Sequence, residues 1–142
     1  MGVALQWNGL DEFRDALRNL PEHLAAEAED IVVAAATGAK LTIQTNYPLG
    51  PTGNLKRGVQ LSRDRSPAQI KCVVSSRAPH AHIFEKGTDR RKNRRGANRG
   101  RMPRAPYGQA FIPAAIRARA VMTDQLVAML RREGFLVERD AA

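Results

Sequence analysis

His80, His82 and Glu85 are the nearest approach in this sequence to a metal-binding or acid–base cluster. On a strand, His80 and His82 would share a face, as two ligands of one ion do. Zinc sites take three or four ligands, yet no further ligand stands at a suitable spacing and no cysteine joins the pair. The plainer reading is two polar residues on the half-exposed face of a strand. His23 stands alone on a polar helix face and suggests nothing. Ser62, Ser66, Ser75 and Ser76 lack the G-x-S-x-G setting of a nucleophile elbow. The single cysteine, Cys72, occupies an alternating apolar position, which suits a small buried hydrophobe better than a reactive thiolate. Gly50-Pro51-Thr52-Gly53 resembles a phosphate loop only in its glycines, because G-K-[ST] is missing and no strand precedes it. The expectation is therefore a protein that is not an enzyme and that uses no metal or cofactor.

Charge is the strong compositional signal. Between Lys86 and Arg104 stand nine basic residues (Lys86, Arg90, Arg91, Lys92, Arg94, Arg95, Arg99, Arg101 and Arg104) and one acid, Asp89. This stretch carries +8 of a formal net charge of +9, so the rest of the chain is close to neutral. Such a segment fits contact with phosphates or with an acidic protein surface; otherwise it is a solvated loop that aids solubility. Tyr107, near its end, is the one aromatic available for stacking, which argues against single-strand or RNA recognition through bases.

The elements that must position these residues are set by length and pattern. At 142 residues, the chain reads as one domain, able to bury a core without staples. One cysteine allows no intrachain disulfide, which fits a reducing compartment. No apolar run approaches the ~18 residues of a membrane span, and the first residues lack the basic and apolar regions of a secretion signal. A short helix is expected over Leu10–Leu20. A long one is expected over Pro21–Asn46, with Leu24, Ala28, Ile31, Val32, Ala35, Ala39 and Ile43 on its buried face. Alternation predicts strands over Leu55–Leu61 and Ile70–Ser75, joined as an antiparallel hairpin through Asp64–Pro67. Further short strands are expected over Ala81–Glu85 and at Phe111-Ile112. Pro113 then opens a final helix with Ile116, Ala120, Leu126, Val127 and Leu130 on or near one face, which Gly134 caps. From Gly87 to Gly108, residues are too polar to offset their ordering entropy, so a long mobile surface loop is expected. The tail from Glu138 is expected to fray. The predicted core comprises Ile31, Val32, Ala35, Leu55, Val59, Leu61, Cys72, Val74, Ile116 and Leu130. The fold class is α+β: a small antiparallel sheet packed against a long N-terminal helix and a C-terminal helix.

Three segments, taken in order, point further. They are Pro51-Thr52-Gly53-Asn54-Leu55-Lys56-Arg57-Gly58-Val59, then Ala78-Pro79-His80-Ala81-His82-Ile83-Phe84-Glu85-Lys86-Gly87-Thr88, then Gln109-Ala110-Phe111-Ile112-Pro113-Ala114-Ala115. Together they resemble the tail-component family of lambdoid-type siphophages, the tail-completion or minor tail protein Z-like proteins. That family shows "TGxLrxSi", "YAxxvEfGT" and "PFlrPAl" segments in this order, with a variable loop between the last two. The resemblance covers roughly Pro21 to Arg132. Gly58 departs from it, standing where the family has a small polar residue. So does Lys86, which replaces an aromatic, and the loop from Asp89 to Gly108 is longer and more basic than the family's.

The resemblance implies a virion structural protein, assembled in the host bacterial cytoplasm. It would form a ring, a hexamer, at the neck, with tail completion or termination as its task. Its partners would be copies of itself, the head connector or stopper protein, and the tail-tube protein, with non-specific contact to genomic DNA in the channel as an added role. The rival reading is a nucleic-acid-binding protein using the basic residues 86–104. Six loops of +8 would place about +48 around the axis, against about 18 duplex phosphates in a ring ~30 Å tall, at one charge per ~1.7 Å. On that arithmetic, much of the loop is expected to pair with carboxylates on neighbouring rings or subunits.

Overall fold

A computed structural model describes residues 22–64, 69–104 and 108–137. The helix expected over Leu10–Leu20, most of the turn after Asp64, Tyr107 and the tail from Glu138 lie outside these residues. The elements are helix α1 (Glu22–Asn46), helical turn α2 (Asn54–Arg57), strands β1 (Val59–Asp64) and β2 (Lys71–Ser76), short helix α3 (Ala81–Lys86) and helix α4 (Phe111–Arg132). The α+β arrangement of two long helices around a small antiparallel sheet is as the pattern predicts.

Helix α1 buries Leu24, Ala28, Ala39 and Ile43, while Ile31, Val32 and Ala35 are half-buried. Its threonines are accommodated locally: Thr37, Thr42 and Thr45 donate to the carbonyls of Val33, Gly38 and Leu41 at 2.8, 2.9 and 2.9 Å. Helices α1 and α4 run antiparallel, since the start of α1 meets the end of α4 and the end of α1 meets its start. One cluster joins Leu24 and Ala28 to Leu126, Met129 and Leu130; the other joins Ile43 and Tyr47 to Val59, Ala110 and Ala114. Arg132 and Glu27 clasp the first end at 2.6 Å, and Arg63 on β1 bonds Glu29 on α1.

The hairpin β1–β2 pairs Val59 with Ser76, Leu61 with Val74 and Asp64 with Lys71. This register turns Val59, Leu61, Cys72 and Val74 toward α1, as the alternation predicts. The strand begins later than expected, however. Residues 54–57 form a helical turn because Gly53, at φ 64° and ψ 11°, swings the chain into it, and Arg57 and Gly58 donate back to Gly53 and Asn54. The Gln44 amide then holds the Lys56 carbonyl at 3.1 Å, tying α2 to α1.

Two other expected strands are helical. Ala81–Glu85 lies in α3, where Ala81 donates to Ala78, Phe84 to His80 and Gly87 to Ile83. Phe111 and Ile112 are the first residues of α4. Ile116, expected in the core, is 62% exposed, and Ala120 is exposed with it. The buried side of α4 is instead set by Ala114, Leu126, Met129 and Leu130, with Met122 packed against it. Among the other predicted core residues, Val59 and Leu130 are buried, and Leu55, Leu61, Cys72 and Val74 are half-buried. Gly134, at φ 85°, ends α4 as expected: its N–H donates to Arg131 and that of Phe135 to Leu130, the two bonds of a Schellman cap.

Candidate functional site

Glu85 sits at a joint between three parts of the chain. Its carboxylate accepts the backbone N–H groups of Gln109 (2.8 Å), Ala110 (3.1 Å) and Phe111 (3.1 Å), and the Tyr47 hydroxyl at 3.0 Å. The first N–H groups of a helix have no partner within it. Here Pro113 brings no N–H to the first turn, and Glu85 takes the donors ahead of it, placing a negative charge at the positive end of the helix dipole. Tyr47 is 1% exposed and packs edge-on against Phe84, ring centres 5.2 Å apart, with Phe111 on its other side at 6.1 Å. Burial, reinforced by the Glu85 charge and their hydrogen bond, raises the Tyr47 hydroxyl well above its ordinary pKa.

The histidine cluster separates. His80 precedes α3 and His82 is its second residue; both are exposed. On a helix, positions two apart do not face each other, unlike the strand placement expected of them. Glu85 is held in the cap. Among the described residues, no group of three His, Cys, Asp or Glu side chains is placed to hold a metal ion.

The same joint locks the segments around it. A Cβ on Gly58 would lie 2.8 Å from the Ala78 nitrogen, and Arg77 donates to the Gly58 carbonyl at 2.9 Å. Gly87 has φ 76° and ψ 173°, a conformation essentially reserved for glycine, and a Cβ there would lie 2.3 Å from the Pro103 carbonyl oxygen. Gly53 starts the turn into α2. The residues that stand out in the sequence as turn and helix signals thus hold one another in place.

The basic segment leaves this joint as a hairpin rather than the structureless loop expected. Thr88 bridges Met102, and Lys92 bridges Asn98, in one common antiparallel register. Between them Arg91 donates to the Gly100 carbonyl and Arg99 to that of Arg91. At the tip, Gly96 donates to the Asn93 carbonyl at 2.9 Å and has φ 78°, while the Asn93 side chain accepts from Arg95 and Ala97. An Asn opening a turn that glycine closes is a common hairpin end. Asp89 and Arg104 pair at 2.9 Å across the base, and this is the segment's ion pair among the described residues. Arg90, Arg91, Lys92, Arg94, Arg95, Arg99 and Arg101 lie on the ribbon and Arg104 just beyond its base, and all eight are exposed.

Comparison with known proteins gives no match: no family model fits the chain, and no curated protein or solved structure is similar to it. Sequence reasoning placed the basic residues but missed the role of Glu85 and passed over Tyr47. One signal was present, an N-terminal helix turn with Pro113 and no capping side chain of its own. The group that answers it stands 24 residues earlier in the chain.

Proposed function

We propose that this chain is a non-enzymatic virion structural protein that forms a ring at the head–tail interface of a tailed bacteriophage. It joins the head connector to the tail tube, in a tail-completion or tail-terminator role. The observation that carries this reading is the joint around Glu85. The three segments that resemble the phage tail-component family meet there, and their characteristic residues serve architecture: Glu85 caps α4, Gly87 and Gly58 allow close backbone approach, and Gly53 turns the chain. Such a protein acts through its surfaces.

The sheet supports self-association. It has two strands, and Arg77 donating to Gly58 sets the alternation of the ladder. The N–H groups of Val59, Leu61 and Arg63 on one strand, and of Cys72, Val74 and Ser76 on the other, then face the outer edges. Among the described residues no further strand covers either edge, and open edges are templates for pairing with a neighbour. No described helix is long and apolar enough to cross a membrane. In this reading the partners are copies of the chain, a connector or stopper protein on one side and a tail-tube protein on the other, in particles assembled in the host cytoplasm.

The test is the mass of the purified protein, alone and mixed with purified heads and tails, together with electron microscopy of particles made without it. A closed ring, alone or on either template, is expected, with separate heads and tails accumulating in its absence. A monomer under every one of these conditions, or normally joined particles without the protein, overturns the reading.

A further inference from the structure

We propose that the hairpin from Thr88 to Met102 is a preformed basic ribbon that binds the phosphate backbone of duplex DNA without reading its sequence. The inference goes beyond ring formation and does not rest on it. Three observations carry it.

First, the ribbon is built. Its base is fixed by the Gly87–Pro103 approach and the Thr88–Met102 bridge, and its tip by the Asn93 side chain and Gly96. A second asparagine, Asn98, accepts the Gly100 N–H at 2.9 Å. These devices order backbone where no apolar side chain does so.

Second, like charges are placed together. The register sets Arg91 across from Arg99, whose N–H donates to the Arg91 carbonyl at 2.7 Å. Arg94 and Arg95 stand side by side at the tip. Like charges directly opposite on paired strands oppose the pairing, and an anionic partner relieves them. With Arg104 held by Asp89, the remaining cations of the ribbon point to a partner outside the described chain.

Third, the ribbon lacks the apolar anchors around which a protein interface is built. Between Asp89 and Arg101 the one apolar side chain is Ala97, and there is no aromatic. Protein interfaces concentrate their affinity in buried aromatic, large apolar and Arg anchors around a desolvated centre, and of these the ribbon offers Arg alone. Nucleic-acid interfaces are more polar and far more positive, and need no such anchor. The absence of aromatics likewise disfavours single strands, which are held by stacking. A two-stranded ribbon also fits the width of a duplex major groove. The excess of charge over phosphate that favoured a carboxylate partner assumed that every cation in the loop faces the axis. A folded ribbon divides its side chains between two faces, so only part of the charge, Arg91 and Arg99 with Arg94 and Arg95 at the tip, meets the duplex.

The experiment titrates the full chain with two 30-base-pair DNA duplexes of unrelated sequence, and separately with poly-glutamate, across salt. About four phosphate contacts predict a slope near −3.6 in log affinity against log salt, hence a loss of about 150-fold between about 50 and 200 mM. The two duplexes are expected to bind alike and poly-glutamate weakly. R94Q/R95Q and R91Q/R99Q are each expected to reduce the slope by nearly two. R91Q/R99Q is also expected to melt no lower than the parent, since cross-strand repulsion is removed, so lost binding in that variant is not lost folding. Unchanged duplex affinity in both variants overturns the proposal. Tighter binding of poly-glutamate than of duplex overturns it in favour of an acidic protein partner. Neither result bears on the ring, which is judged by mass.

Discussion

Glu85 shows how much one side chain can decide. Four donors converge on its two oxygens, three of them backbone N–H groups at the start of α4. Glu85→Gln keeps the shape, but it removes the charge and turns an amide N–H2 toward donors. A destabilisation of about 1.5–3 kcal/mol is expected in urea unfolding, the range for hydrogen bonds to a charged group; a loss below about 0.5 kcal/mol would remove Glu85 from this role. Tyr47 makes a prediction about pH. Its hydroxyl is raised well above the ordinary ~10 by burial, then by the charge and hydrogen bond of Glu85. Above that ordinary value the unfolded chain has lost this proton while the folded chain keeps it. The stabilisation is therefore complete below about pH 10 and declines as pH rises toward the folded value, by up to about 1.4 kcal/mol per pH unit. Tyr47→Phe is expected to start lower in stability at neutral pH and to decline less steeply between pH ~10 and ~11. Parallel curves for the two proteins would show that Tyr47 does not titrate differently on folding.

At the scale of elements, α4 packs at both ends but leaves one side open. Ala114 and, further on, Leu126, Met129 and Leu130 are buried, whereas Ile112 and Ile116 are exposed. Met129→Ala is expected to cost about 2–5 kcal/mol, as truncations of fully buried side chains do. Ile116→Ser should stay within about 0.5 kcal/mol, as surface changes do. Thermal unfolding of the two variants checks this, and a large effect at Ile116 would mean that this side of α4 is packed rather than open. The hairpin β1–β2 has its own asymmetry. Val59 is buried while Val74 is half-buried, so Val59→Asp is expected to prevent folding and Val74→Asp to be milder. A soluble Val59→Asp protein with a cooperative melt would contradict the packing of the second core cluster.

At the scale of the whole molecule, charge and shape separate. The segment from Lys86 to Arg104, which includes the ribbon, holds +8 of the +9, and the rest of the chain is nearly neutral. In a ring, ribbons on neighbouring subunits repel one another, whereas each attracts a polyanion. Ring formation and DNA binding therefore respond to salt with opposite sign. Self-association of the purified chain, followed by light scattering, is expected to strengthen between about 50 and 300 mM salt, while DNA binding weakens over the same range. Self-association that weakens in parallel with DNA binding would mean that the ribbon itself forms the contact between subunits.

What the amino-acid sequence determined by itself was everything whose signal is local. The stripe from Leu24 to Ile43 marks α1, alternation marks β1 and β2 and sets which residues face α1, Gly134 marks the end of α4, and the run from Lys86 to Arg104 marks the charged surface. Each is legible because helix and strand periods, turn chemistry and charge are properties of neighbours in the chain. The tertiary structure alone decided the rest. Ala81–Glu85 and Phe111-Ile112 are short and apolar enough to suit either strand or helix. They became helical where His80 and Ala78 receive the first N–H groups of one segment, and Glu85 those of the other. The exposure of Ile116 depends on where α1 lies, and the hairpin in the basic segment depends on a register shared by partners as far apart as Thr88 and Met102. The candidate site was half legible for the same reason: its cations could be read directly, but Glu85 and Tyr47 meet across 38 positions of sequence, and only packing brings them together.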